Sequence, residues 1–237
     1  ILSIAAVCSF CYVNSAAAQN LAGSSTMKFS GRIQSLASVE MTGDEFETNI
    51  LVRRARLKFQ GVAINPKFSY KLELGLTNRD HGSPIPETNN SARMILDAVV
   101  MYNMGPKTQL WFGQTKLPGN RERVMSSAKP QFVDRSLLNS KYSIDRDMGI
   151  QIHHNFELGG MIGEAAVSIS QGEGRNITTG NYGGFDYTGR VELLPFGAFA
   201  GKGDYFGADL KREENPKLSL GVTYDYNDNA SRQRGNT

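Results

Sequence analysis

Between residues 217 and 226 the chain reads KLSLGVTYDY. Leu218, Leu220, Val222, Tyr224 and Tyr226 alternate with Lys217, Ser219, Gly221, Thr223 and Asp225. Successive side chains of a strand point to opposite faces, so this run has one apolar and one polar face. The same period returns along the chain. Phe29 and Ile33 alternate with Lys28, Ser30, Arg32 and Gln34, and Ala55, Leu57 and Phe59 with Arg54, Arg56, Lys58 and Gln60. In KFSYKLELGL, residues 67–76, Phe68, Tyr70, Leu72, Leu74 and Leu76 share a face. With the runs at 95–103, 108–115, 146–156, 165–169 and 186–193, the pattern predicts nine strands, each roughly 9–11 residues, the length that crosses a bilayer when tilted.

The connections alternate as well. Asn65-Pro66, Gly105-Pro106 and residues 158–161 read as tight turns, and 37–49, 77–92, 116–144 and 171–183 as long polar loops. Short turn followed by long loop is the hairpin rhythm of an outer-membrane barrel. Lipid demands an apolar exterior and closed backbone hydrogen bonding, whereas a water-filled interior tolerates polar groups. The polar stretch 194–215 breaks the rhythm, because a short turn is due there. The expected fold is therefore all-β: an antiparallel transmembrane β-barrel of the outer-membrane porin type. About nine strands are present, and the barrel is expected to be incomplete because single-chain bacterial barrels have even strand numbers. Sequence is expected to be missing at both ends.

Residues 1–18 differ from the rest. Ile1 to Val13 carries no charge and Ala16-Ala17-Ala18 follows, which reads as a secretory signal peptide truncated at its start and cut after Ala18. Residues 19–237 are then the N-terminal part of the barrel domain. Both cysteines, Cys8 and Cys11, fall in the leader, so the mature chain has none. That excludes disulfides, thiol chemistry and cysteine–zinc sites. The net charge of +3 excludes a generally basic nucleic-acid binder. His153 and His154 face opposite sides of a strand and cannot chelate one metal together. GAFAGKG at 197–203 is one residue short of a phosphate-binding loop and lacks its final Ser or Thr. Asp145 and Asp147 share a face, but nothing supplies a nucleophile. No catalytic residue, metal or cofactor is expected.

WFGQTKLPGNRERV at 111–124 carries a GQ-x-K-x-P pattern followed by Gly119. With RRARLKFQG (53–61), LLNSKYSIDRDMGIQIHHNF (137–156) and GDYFGADLKREENPKLSLGVTYDYNDNA (203–230), it resembles the phosphate-selective porin O/P family, over essentially the whole mature chain. The resemblance implies a trimeric, water-filled channel in the outer membrane of a Gram-negative bacterium. Such a channel contacts outer-membrane lipid and passes small anions such as phosphate or polyphosphate, with no enzymatic activity and no nucleic-acid partner. A general or oligosaccharide porin on the same fold is the alternative, with Trp111 on the lumen face, and an outer-membrane barrel enzyme is a more distant one.

In a barrel, Arg32, Arg54, Arg56, Lys58, Lys67 and Lys71 point into the lumen from three consecutive strands, and Lys/Arg-lined walls favour anions. Loop 116–144 adds Lys116, Arg121, Arg123, Lys129 and Arg135. The resemblance implies that this third long loop folds inward and narrows the pore. Arg53 falls in the apolar phase, which places it at the outer end of its strand, in the headgroup region.

Overall fold

The computed structural model describes residues 2–6, 12–13, 19–21, 25–82, 84–132 and 134–230. The expected cleavage point after Ala18, both cysteines and residues 231–237 lie outside the described residues. Three short strands come first: β1 (Leu2–Ala6), β2 (Tyr12–Val13) and β3 (Gln19–Leu21). Nine longer ones follow: β4 (Ser25–Thr42), β5 (Glu45–Val62), β6 (Phe68–Gly75), β7 (Ile95–Asn103), β8 (Thr108–Lys116), β9 (Arg146–Leu158), β10 (Met161–Ser170), β11 (Asp186–Leu194) and β12 (Leu220–Asn227). They form one antiparallel sheet in sequence order from β4 to β12, and the sheet does not close. β1, β2 and β3 each pair with β4, β1 lying against Ala37–Met41.

The chain divides into two compact units, residues 1–98 and 99–237. In the second unit the burial pattern is inside out. On β11, Asp186, Thr188, Arg190 and Glu192 are buried while Tyr187 and Val191 are exposed. On β10, Ala166, Ser168 and Ser170 are buried and Val167 and Ile169 exposed, and on β12 Val222 and Tyr224 are at least 70% exposed. A water-soluble protein does the reverse and seldom buries charged side chains. Among the described residues the buried apolar set is only Leu96, Val99, Leu117, Met125 and Ala166. The alternation therefore produces a polar interior and an apolar rim, the arrangement suited to lipid outside and water within.

The first unit corrects two expectations. The stretch 37–49 is not a long loop: β4 runs to Thr42, Gly43 takes φ 64°, and β5 starts at Glu45, with Thr42 facing Glu45. Polar residues can occupy both faces of a strand surrounded by water, so polarity alone misreads it as a loop. The hairpin arms are 18 residues each. At about 3.3 Å per residue each reaches roughly 60 Å, well over the ~30 Å hydrocarbon thickness. The acidic tip of Glu40, Asp44, Glu45 and Glu47 therefore stands in water.

The second correction concerns Arg53. It is not at the strand's end but in the middle of β5, and only 1% exposed. Gln34 pairs with Arg54 and Ser35 with Val52, so Arg53 is the extra residue of a β-bulge. The bulge resets the phase: Ile50 and Val52 before it join Ala55 and Leu57 after it on the same face. Without it, Ile50 and Val52 would turn to the polar side.

The connections otherwise follow the rhythm. Turns at 63–67, 104–107 and 159–160 occupy one end of the strands, called here the turn end. Residues 76–94, 117–145 and 171–185 occupy the other, the loop end. The insert 195–219, between β11 and β12, lies at the turn end, because Leu194 pairs with Ile162 beside the 159–160 turn.

Candidate functional site

In the first unit, cross-strand register assembles a cationic ladder on the polar face of β4, β5 and β6. Arg32 pairs with Arg56, Gln34 with Arg54, and Ser30 with Lys58. On the other flank Lys58 pairs with Glu73, and Gln60 with Lys71. Arg54 donates to the neutral Gln34 Oε1 at 2.7 Å. Arg56 is held by carboxylates: its Nε donates to Asp80 Oδ2 at 3.0 Å, its NH2 to Asp80 Oδ1 at 2.5 Å and its NH1 to Glu73 Oε1 at 3.3 Å. Two parallel N–H···O bonds to Asp80 make this the bidentate geometry that Arg favours. Lys71 Nζ lies 3.1 Å from Asp97 Oδ2. Lys67 stands apart from the ladder, in the exposed turn before β6, where its backbone N–H donates to Asn65 Oδ1.

Asp80 belongs to the one-turn helix α1 (Asn78–His81), which folds back from the loop end. Gly75, paired with Arg56, makes room for it: a Cβ there would sit 2.6 Å from Asp80 Cβ. The charge pattern of the strands pointed to the arginines but not to this counter-charge, which comes from a polar loop. The single glycine in the KFSYKLELGL run is the sequence signal that marks a close approach.

In the second unit, loop 117–145 lies on the polar face of β11 and β12. Gly119 O accepts from Arg190 NH1 at 2.9 Å and from Thr223 Oγ1 at 3.2 Å. Each of the five loop cations predicted from the sequence is engaged with protein. Lys116 Nζ donates to the carbonyls of Arg123, Val124 and Met125 at 2.8, 3.3 and 3.0 Å. It thus caps the C-terminal end of α2 (Arg121–Val124), where the helix dipole favours a cation. Arg135 reinforces the same turn from Nε to Glu122 O and from NH2 to Met125 O. Arg123 pairs with Asp145. Burial pushes the Asp145 carboxyl up, but the Arg123 and Arg146 guanidiniums outweigh it and hold it below the usual aspartate range.

Arg121 reaches Glu192, Ser219 and Asp204 and lies over the Tyr205 ring, 4.6 Å from its centroid. Burial, with Glu164 and Glu192 nearby, raises the Tyr205 phenol, so the ring under Arg121 stays neutral. Lys129 Nζ stands 3.8 Å from the Phe206 ring centroid. Arg121 and Lys129 thus brace the loop against the sheet and the insert, while Lys116, Arg123 and Arg135 tie the loop to the end of β8 and to itself. Composition showed their number but not their partners, among them Asp145, Glu192, Asp204 and Ser219.

Trp111 also lies on the polar face. It stacks on His153 with ring centroids 4.2 Å apart, and its Nε1 donates to Gln109 Oε1 at 3.1 Å. His154 takes the other side, with Nδ1 at 2.8 Å from Thr108 Oγ1. Asp147 is occupied by the backbone N–H groups of Met148 and Gly172. The residues 200–205 of the glycine-rich stretch form a 3-10 turn, in which Lys202 takes φ 56°.

A polar face lined with Lys and Arg in the first unit, and in the second an apolar exterior with a long loop laid on its own polar face, are the parts of a channel wall. Residues 28–236 match the family described as phosphate-selective porin O and P. The chain belongs to this family. It is a non-enzymatic, outer-membrane porin of a Gram-negative bacterium, through which small solutes pass. No curated protein matches the chain.

Proposed function

We propose that this porin is anion-selective and passes phosphate or polyphosphate-like solutes through the water-filled pore lined by Arg32, Arg54, Arg56, Lys58 and Lys71. The observation that carries the reading is the direct pairing of Arg32 with Arg56, with Arg54 and Lys58 one step to either side. Like charges directly opposite each other destabilise a sheet. Asp80 and Glu73 offset Arg56, but the neutral amide of Gln34 leaves the charge of Arg54 to the pore. A wall of one sign raises the local concentration of the opposite ion, and Arg fits phosphate oxygens in bidentate fashion. Lys67, in its turn, acts at the pore mouth.

The reading includes removal of residues 1–18 as a leader and assembly as a homotrimer. An unboiled sample migrating as a trimer of chains that begin at Gln19 checks both. The stacked Trp111–His153 pair supports a second reading, an oligosaccharide porin, because sugars dock on aromatic faces. Single-channel recording separates the two. Millimolar phosphate blocks the chloride current if the anion reading holds, and block by maltose-type sugars without phosphate block favours the second.

A further inference from the structure

We propose that the insert 195–219 is a second jaw of the constriction, reaching onto the polar face from the turn end and latching loop 117–145, which arrives from the loop end. The proposal rests on the porin reading above.

The loop descends along the polar face in steps. Gly119 meets Arg190 and Thr223, then Arg121 meets Glu192 and Ser219 nearer the turn end. From there the contacts pass to the insert. Arg121 NH1 donates to Asp204 O at 3.2 Å and Asp204 Oδ2 at 3.3 Å. The Lys129 carbonyl accepts from the Gly207 N–H at 2.7 Å, while the Lys129 ammonium lies on the Phe206 ring.

Gly207 fixes the closeness of the two jaws. A Cβ there would lie 2.1 Å from Gln131 N and 2.6 Å from Pro130 C. Both are backbone atoms, so no flexible side chain can yield. Each jaw is also braced on its own. Lys116 and Arg135 tie the loop, and on the insert Ala200 N donates to Glu213 Oε1 at 2.6 Å and Lys217 Nζ to Phe196 O at 2.9 Å. A loop that merely covered the barrel mouth would need none of these ties. A cavity of about 630 Å³ remains beside the latch, lined by Arg121, Phe199, Asp204, Phe206 and Glu213 among others.

The latch sets pore width while the cationic ladder sets ion preference, so conductance and selectivity respond to different substitutions. Gly207→Val raises single-channel conductance roughly twofold with an unchanged reversal potential, because the width of a constriction governs its flux. Asp204→Asn moves conductance the same way by a smaller amount and adds no bulk, which keeps the test open if the valine variant does not assemble. In a Lys129→Cys, Phe206→Cys double variant, a cleavable thiol-to-thiol reagent joins the two positions in intact outer membranes. Conductance then stays at or below wild type until reductant releases the link. Thiols that do not join, or wild-type conductance in both the Gly207→Val and Asp204→Asn channels, overturn the latch. A channel that shows these conductance changes without anion preference overturns the anion reading and leaves the latch standing.

Discussion

Asp80 shows how a single residue can change the meaning of a charge pattern. Four cations in RRARLKFQG suggest a wall of one sign, yet Arg56 is clamped by the Asp80 carboxylate, which is 4% exposed. Breaking a buried pair leaves the partner charge uncompensated, at a cost of about 3–5 kcal/mol. In a water-lined pore a passing anion can take the vacated place, so the cost falls and the selectivity rises. Asp80→Asn is therefore expected to shift the reversal potential further toward the anion value while leaving assembly intact. Gly75→Ala, whose Cβ would press on Asp80, is expected to act in the same direction. An Asp80→Asn channel with wild-type or weaker anion preference would show that the clamp has no bearing on permeation.

Among the elements, β5 is the most instructive. The rule that alternation defines a strand located it, and the same rule placed Arg53 at its end because that residue broke the phase. The bulge is the missing physical fact. One extra residue per strand costs local pairing but resets which face the following residues occupy. Deleting Arg53 removes the bulge and keeps Val52 and Ala55 on one face with Arg54 on the other. Deleting Leu57 instead inverts half the strand. The first deletion is expected to retain the heat-modifiable band of a folded barrel on a gel and the second to lose it. Loss in both would mean that the bulge itself is required.

The nine strands, the tight turns and the anomalous insert were legible in the sequence because their periods and turn residues are local signals. The hairpin tip at 37–49 was not, since a polar strand in water has the composition of a loop. The partners of Arg121 were not legible either, because folding brings them together across 71 to 98 residues, and those of Lys116, Arg123 and Arg135 lie in or beside an irregular loop that carries no periodic signal.

At the scale of the whole molecule, burial and polarity are exchanged. Buried Asp186, Arg190 and Glu192 lie behind exposed Val191, Val222 and Tyr224, and among the described residues few apolar side chains are buried. A lipid surroundings and a watered interior account for both facts at once. The central claim is that this interior selects anions by its Lys and Arg ladder. The reversal potential of single channels under a potassium chloride gradient tests it most directly. Wild type is expected to reverse near the chloride potential, and changing Arg32, Arg54 and Lys58 together to Glu is expected to move the reversal toward the potassium potential. A cation-selective wild type, or a reversal potential unmoved by the triple substitution, would contradict the account.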